Sequence, residues 1–148
     1  SIAINKENQM GLDQYAYIAA KSGQQAAFYE GAKYDDEANE YVNPHITQPR
    51  EIAYWRKHPN LQGWMERLWL TKANVEHRGD FNGVELELTW EDLDELERAV
   101  THGQLPETSG FFFGNPSDEH YRESDLQFIR EARAELFLGL KVFYNSSW

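Results

Sequence analysis

The chain has 148 residues, 41% hydrophobic and 14% aromatic, with a formal net charge of −11 and no cysteine. That is one globular domain's worth of sequence, with enough apolar side chains for a core. The charge argues against general binding to nucleic acid or anionic membranes, no apolar run reaches the roughly 18 residues of a membrane span, and the lack of cysteine removes disulfides, thiolate nucleophiles and cysteine-based zinc sites.

Ser1–Gln9 are polar and aperiodic and read as a flexible leader before Met10, with residues 10–148 as a single domain. From Gly11 to Ala20, Leu12, Ala16 and Ile18 fall on one face and Tyr15 and Tyr17 on the other, as in a strand. Lys21-Ser22-Gly23 ends it. Residues 24–49 hold a short helical stretch, Gln24 to Ala32, then an acidic run from Tyr34 to Tyr41 and the turn signals Asn43-Pro44 and Gln48-Pro49. The expectation here is a long surface excursion, a feature that is often functional.

Glu51 to Arg56 reads as a short strand, with Ile52 and Tyr54 on one side and Trp55 on the other. Pro59 closes it and Asn60 suits an N-cap. Leu61, Trp64, Met65, Leu68 and Trp69 then recur at helical spacing, to about Lys72. Gly63 within that helix costs up to ~1 kcal/mol relative to alanine, which close packing against a neighbour would justify.

Residues 74–83 are polar and end in the turn signal Asn82-Gly83. Val84 to Leu88 alternates as a half-buried strand. Thr89 caps a second helix, with Asp92 as an imperfect capping-box partner and Leu93, Leu96 and Val100 as its stripe. Acids crowd its first turn, His102 lies near its end, and Gly103 is the terminator. After Leu105-Pro106 comes a loop holding Gly110-Phe111-Phe112-Phe113-Gly114 and Asn115-Pro116. A third helix starts between Ser117 and Ser124, buries Phe128, Ile129, Ala132, Leu136 and Leu140, and ends at Gly139. Lys141 to Tyr144 reads as the last strand. The fold class expected is α+β: a mainly antiparallel sheet of about four strands with about three helices packed on it.

Charge is uneven along the chain. Residues 50–78 carry six basic and three acidic side chains, whereas residues 79–148 carry five and fifteen. Arg56, Lys57 and His58 stand in the positive segment just before the helix start at Asn60, with Tyr54 and Trp55 alongside. Helix N-termini present free N–H groups and a positive dipole end, arginine a planar fork, and lysine a point charge. Together they form a candidate pocket for a phosphate- or carboxylate-bearing small molecule. Phe111, Phe112 and Phe113 form a candidate hydrophobic patch for a protein partner. Among His45, His58, His77, His102 and His120 no pair has i, i+4 spacing and no Glu-x-x-His occurs, so no metal site is expected. Nucleophile-elbow and phosphate-cradling glycine motifs are missing, and no cofactor is implied. Glu85 and Glu87 read as a solvated strand face.

Four motifs carry a family resemblance. Met10-Gly11-Leu12-Asp13-Gln14-Tyr15, then Tyr54-Trp55-Arg56-Lys57 with Asn60, Leu61 and Trp64, then Gly110–Gly114, and finally Ser147-Trp148, occur in the order seen in a family of small phage and bacterial proteins, which this chain resembles from Met10 to Trp148. At position 62 the resemblance implies histidine, and this chain has glutamine. Proteins of that family are sometimes labelled phosphoglycerate kinase, but one domain of this size cannot supply the two lobes that reaction uses. The resemblance implies little about activity; the expectation from the whole reading is a cytoplasmic, phage-type accessory protein. The expected function is binding of a host or phage protein; the alternative is a ligand-binding domain or small enzyme for an anionic molecule at Arg56–Asn60.

Overall fold

The computed structural model describes residues 11–73, 81–108 and 118–148. The leader Ser1–Gln9, Met10, His77, and the loop with Phe111, Phe112 and Phe113 lie outside the described residues. In chain order the elements are β1 (Asp13–Ala19), α1 (Gln24–Glu30), β2 (Lys33–Asp35), β3 (Glu40–Val42), β4 (Arg50–Arg56), α2 (Pro59–Ala73), β5 (Leu86–Leu88), α3 (Trp90–Thr101), α4 (Asp118–Phe137) and β6 (Lys141–Ser147). Strands β4, β1, β6 and β5 form one antiparallel sheet in that order, and β2 and β3 pair as a separate hairpin. The fold is α+β. No described helix is long and apolar enough to cross a membrane.

One face of the sheet carries the main core. Ala16 and Ile18 of β1, Trp55 of β4, Leu86 and Leu88 of β5, and Val142 and Tyr144 of β6 meet Leu61 and Met65 of α2, Leu93 and Leu96 of α3, and Phe128 and Ile129 of α4. Trp64, Leu68 and Trp69, the rest of the α2 stripe, pack against this core while staying partly exposed. On the opposite face Tyr17, Ala19 and Phe143 form a smaller cluster. The excursion reaches over that face: Gly23 donates its N–H to Glu85 Oε1 at 2.7 Å and Ser22 its hydroxyl to Glu87 Oε1 at 3.2 Å. Glu85 also accepts from the Tyr17 hydroxyl at 2.5 Å. The two glutamates thus hold the Ser22-Gly23 turn that leads into the excursion, rather than forming a merely solvated face.

The helix ends follow their local chemistry. Thr89 accepts from the Asp92 N–H and Asp92 reaches back to the Thr89 N–H, which closes the capping box. Gly103 and Gly139 take positive φ, and the residues after them, Gln104 and Leu140, donate back to Ala99 and Glu135 as in a Schellman ending. Two expectations need correction. Ile52 was expected beside Tyr54, but a bulge between Ala16 and Tyr17 places Ala53 opposite Ala16 and Glu51 opposite Tyr17, and Ile52 packs against the main core. Asn60 is not the cap of α2. Pro59 begins the helix, where its missing N–H costs nothing, and the His58 carbonyl accepts the first helical bond from Gln62.

Candidate functional site

Trp55, His58 and Pro59 of the Tyr54–Asn60 stretch turn inward where β4 gives way to α2. The Trp55 indole N–H donates to Asp125 Oδ1 at 2.9 Å, and His58 Nε2 lies 2.9 Å from Asp125 Oδ2. Trp55, His58 and Asp125 are all 1–2% exposed. The His58 ring stacks on Tyr121, with centroids 4.1 Å apart and planes 11° off parallel. The Tyr121 hydroxyl donates to the carbonyls of Arg56 and Lys57 at 2.7 and 3.0 Å. Lys57 takes a left-handed φ of 57°, which lets the chain turn from strand to helix. Its N–H donates to the Leu12 carbonyl at 2.9 Å.

Gln14 completes this arrangement from the core face of β1. Its amide accepts from the His58 N–H at 2.9 Å and donates to the His58 carbonyl and the Tyr144 hydroxyl, each at 3.0 Å. Tyr144 in turn donates to Gln62 Oε1. Burial lifts the Asp125 carboxyl above its ordinary range, and the bonds from His58 and Trp55 pull it partly back. Burial likewise holds the Tyr144 hydroxyl protonated far above the usual tyrosine range. With these groups sealed from solvent, the network's chemistry is to tie β1, β4, α2, α4 and β6 together.

The six residues of the candidate anion pocket are therefore not brought together. Tyr54 and Arg56 face outward, and both bind Asp13 Oδ1, the hydroxyl at 2.6 Å and the guanidinium at 3.1 Å. Trp55 and His58 are in the core. Asn60 donates to Asp118 Oδ1 at 2.8 Å and accepts from the Thr108 N–H at 2.9 Å. Lys57 is exposed. The carboxylates of Asp13, Asp118 and Asp125 accept from Arg56, from Asn60, and from Trp55 and His58 respectively.

A second arrangement lies on the outer face of the sheet. Tyr15 and Tyr17 of β1, Tyr29 of α1 and Glu51 of β4 line a hollow of about 320 Å³, with Gln25, Gln48 and Pro49. Strand alternation puts Tyr15 and Tyr17 on this face, and register sets Tyr15 opposite Tyr54, with ring centroids 5.3 Å apart. From Tyr29 a run of edge contacts continues to Tyr41 at 6.2 Å and on to Tyr34 at 5.2 Å. Tyr29, Tyr34, Tyr41 and Tyr54 are each about half exposed, at 48–50%. Among the described residues no basic side chain pairs with Glu51. A neighbouring hollow of about 370 Å³ shares Gln48 and is walled by Ile18, Ala19 and Leu140.

Sequence reasoning overlooked Gln14, Asp125, Tyr121 and Tyr144 of the buried network and Tyr15, Tyr29 and Glu51 of the hollow. Spacing carried some of the signal. Asp125 falls on the same stripe of α4 as Phe128, Ile129 and Ala132, and Gln14 sits between Leu12 and Ala16 on a core-facing row. Among the described residues no group of three or more histidines or carboxylates is placed to hold a metal ion. No family model, no curated protein and no solved structure matches the chain.

Proposed function

We propose that the protein is an accessory binding module that engages a protein partner through the outer face of its sheet, with a segment of the partner lying across the tyrosine-lined hollow. The observation that carries this reading is the run of four half-exposed tyrosines, Tyr34, Tyr41, Tyr29 and Tyr54, on either side of a concave site whose walls include Tyr15 and Tyr17. Tyrosine supplies a large, stiff contact area at low entropy cost and keeps a polar tip, which is why it is enriched at interfaces. The motifs that resemble those of small phage and bacterial proteins fit an accessory role. A small anionic ligand at Arg56–Asn60 is the weaker reading, because it must compete with Asp13 for Arg56 and with Asp118 for Asn60.

Selection of peptides from a random display library, followed by amide chemical-shift mapping of the enriched sequences, tests the proposal. Shifts are expected at Tyr15, Tyr29, Glu51 and Tyr54. Shifts confined to the α2–α4 side of the molecule would overturn it.

A further inference from the structure

Resting on that reading, we propose that the hollow between Tyr15, Tyr17 and Tyr29 receives an arginine side chain of the partner segment, with Glu51 as its counter-charge. Four features of the site favour this occupant. The walls include three aromatic rings, and ring faces attract a guanidinium both by stacking and through their quadrupole. The side chains of Gln25 and Gln48 add carbonyl acceptors, and no basic residue among those described lines the space. Glu51 stands at the rim with no basic partner among the described residues. Finally, about 320 Å³ is at the bottom of the roughly 300–1,000 Å³ range of small-molecule pockets, so it suits one long side chain better than a nucleotide.

The surrounding field has the right sign. Tyr15 has its hydroxyl pushed up, first by burial and then by the negative charges of Asp13 and Glu51, with the Arg56 charge acting the other way. Arg56 and Asp13 pair and offset one another, which leaves Glu51 as the charge without a basic partner among the described residues. The chain as a whole carries −11, which steers cations inward from a distance. A neutral sugar is the competing occupant, since tyrosine walls and amide groups also suit hydroxyls. A neutral sugar gains nothing from the long-range pull of the net charge, so its binding would be insensitive to salt.

The test uses the full chain and three probes followed by amide chemical shifts: N-acetyl-arginine methylamide, its neutral ureido isostere N-acetyl-citrulline methylamide, and methyl glucoside. The arginine probe should give saturable shifts at Tyr15, Tyr29, Gln48 and Glu51 that weaken as salt rises. Citrulline should bind at least about fivefold more weakly, and Tyr29→Ala and Glu51→Gln should each weaken arginine roughly fivefold, with spectra that remain folded. Equal binding of citrulline, tighter binding of the glucoside, shifts spread over the acidic faces of α3 and α4, or indifference to both substitutions would overturn the arginine assignment. If selected peptides bind the outer face while the arginine probe does not, this inference falls and the binding-module reading stands. If neither perturbs that face, both fall.

Discussion

Asp125 accepts from two buried donors on the strand–helix junction, the Trp55 indole and the His58 ring. Removing one member of such a set leaves its partners buried and unsatisfied, which costs far more than the set contributes. Asp125→Ala is accordingly expected to cost about 3–5 kcal/mol, read as a lower urea midpoint at unchanged slope. A loss below about 1 kcal/mol would show that the network carries little. Gln14→Met keeps the side chain's size but strips three hydrogen bonds, two of them to the His58 backbone, and about 2–3 kcal/mol is expected. At this scale the sequence was half legible. A carboxylate on the apolar stripe of α4 and an amide on the core row of β1 both mark buried polar groups. Their partners were hidden because they lie 67 and 44 residues away.

At the scale of elements, Gly63 shows how tertiary contact overrides propensity. Alanine would favour an isolated helix by about 1 kcal/mol here. A Cβ at this position would, however, come within 1.9 Å of Thr108 Oγ1 and 3.0 Å of Thr108 Cβ, on the loop whose N–H is held by Asn60. Gly63→Ala is therefore expected to destabilise, and Gly63→Ala with Thr108→Gly to recover part of the loss in a thermal melt. Stabilisation by the single change would contradict the packing.

Arg133 of α4 pins α3 by bonding Glu97 at 3.0 and 3.1 Å and Asp94 at 2.6 Å. The Arg133 bond holds the Glu97 carboxyl below its ordinary range, with burial opposing. A depressed carboxyl contributes stability above its unfolded pKa and loses it as pH falls through the folded value. Arg133→Gln should thus cost up to about 1 kcal/mol at neutral pH, since the Asp94 and Glu97 carboxylates are each more than 40% exposed, and nothing once they are protonated. An equal loss at both pH values would make the role one of packing, for instance against Trp90, whose ring lies 5.9 Å from the guanidinium. Caps and stops were the most legible features at this scale, because Thr89, Gly103 and Gly139 act through neighbours in sequence. The bulge at Ile52 and the start of α2 were not, because they depend on pairing with β1 and on the left-handed turn at Lys57.

For the whole molecule, the α+β class and the core face followed from alternation and helical spacing, which report which side of an element is dry. The outer face did not. Its hollow forms only when the excursion brings Tyr29 and Gln48 over Tyr15, Tyr17 and Glu51, and the turn that launches it, Ser22-Gly23, bonds Glu85 and Glu87 some sixty residues further along. In the stretch singled out by charge, Arg56, His58 and Asn60 bond carboxylates of their own chain. The affinity of a library-selected peptide for wild type and for Tyr29→Ala/Tyr54→Ala, measured by titration calorimetry alongside melting temperature, decides whether the outer face is the binding surface. At least about a tenfold loss of affinity with little change in melting temperature is expected, since both rings are half exposed. Unchanged affinity in the double variant, or an equal loss from Phe137→Ser at the exposed end of α4, outside the lining of the hollow, would contradict it.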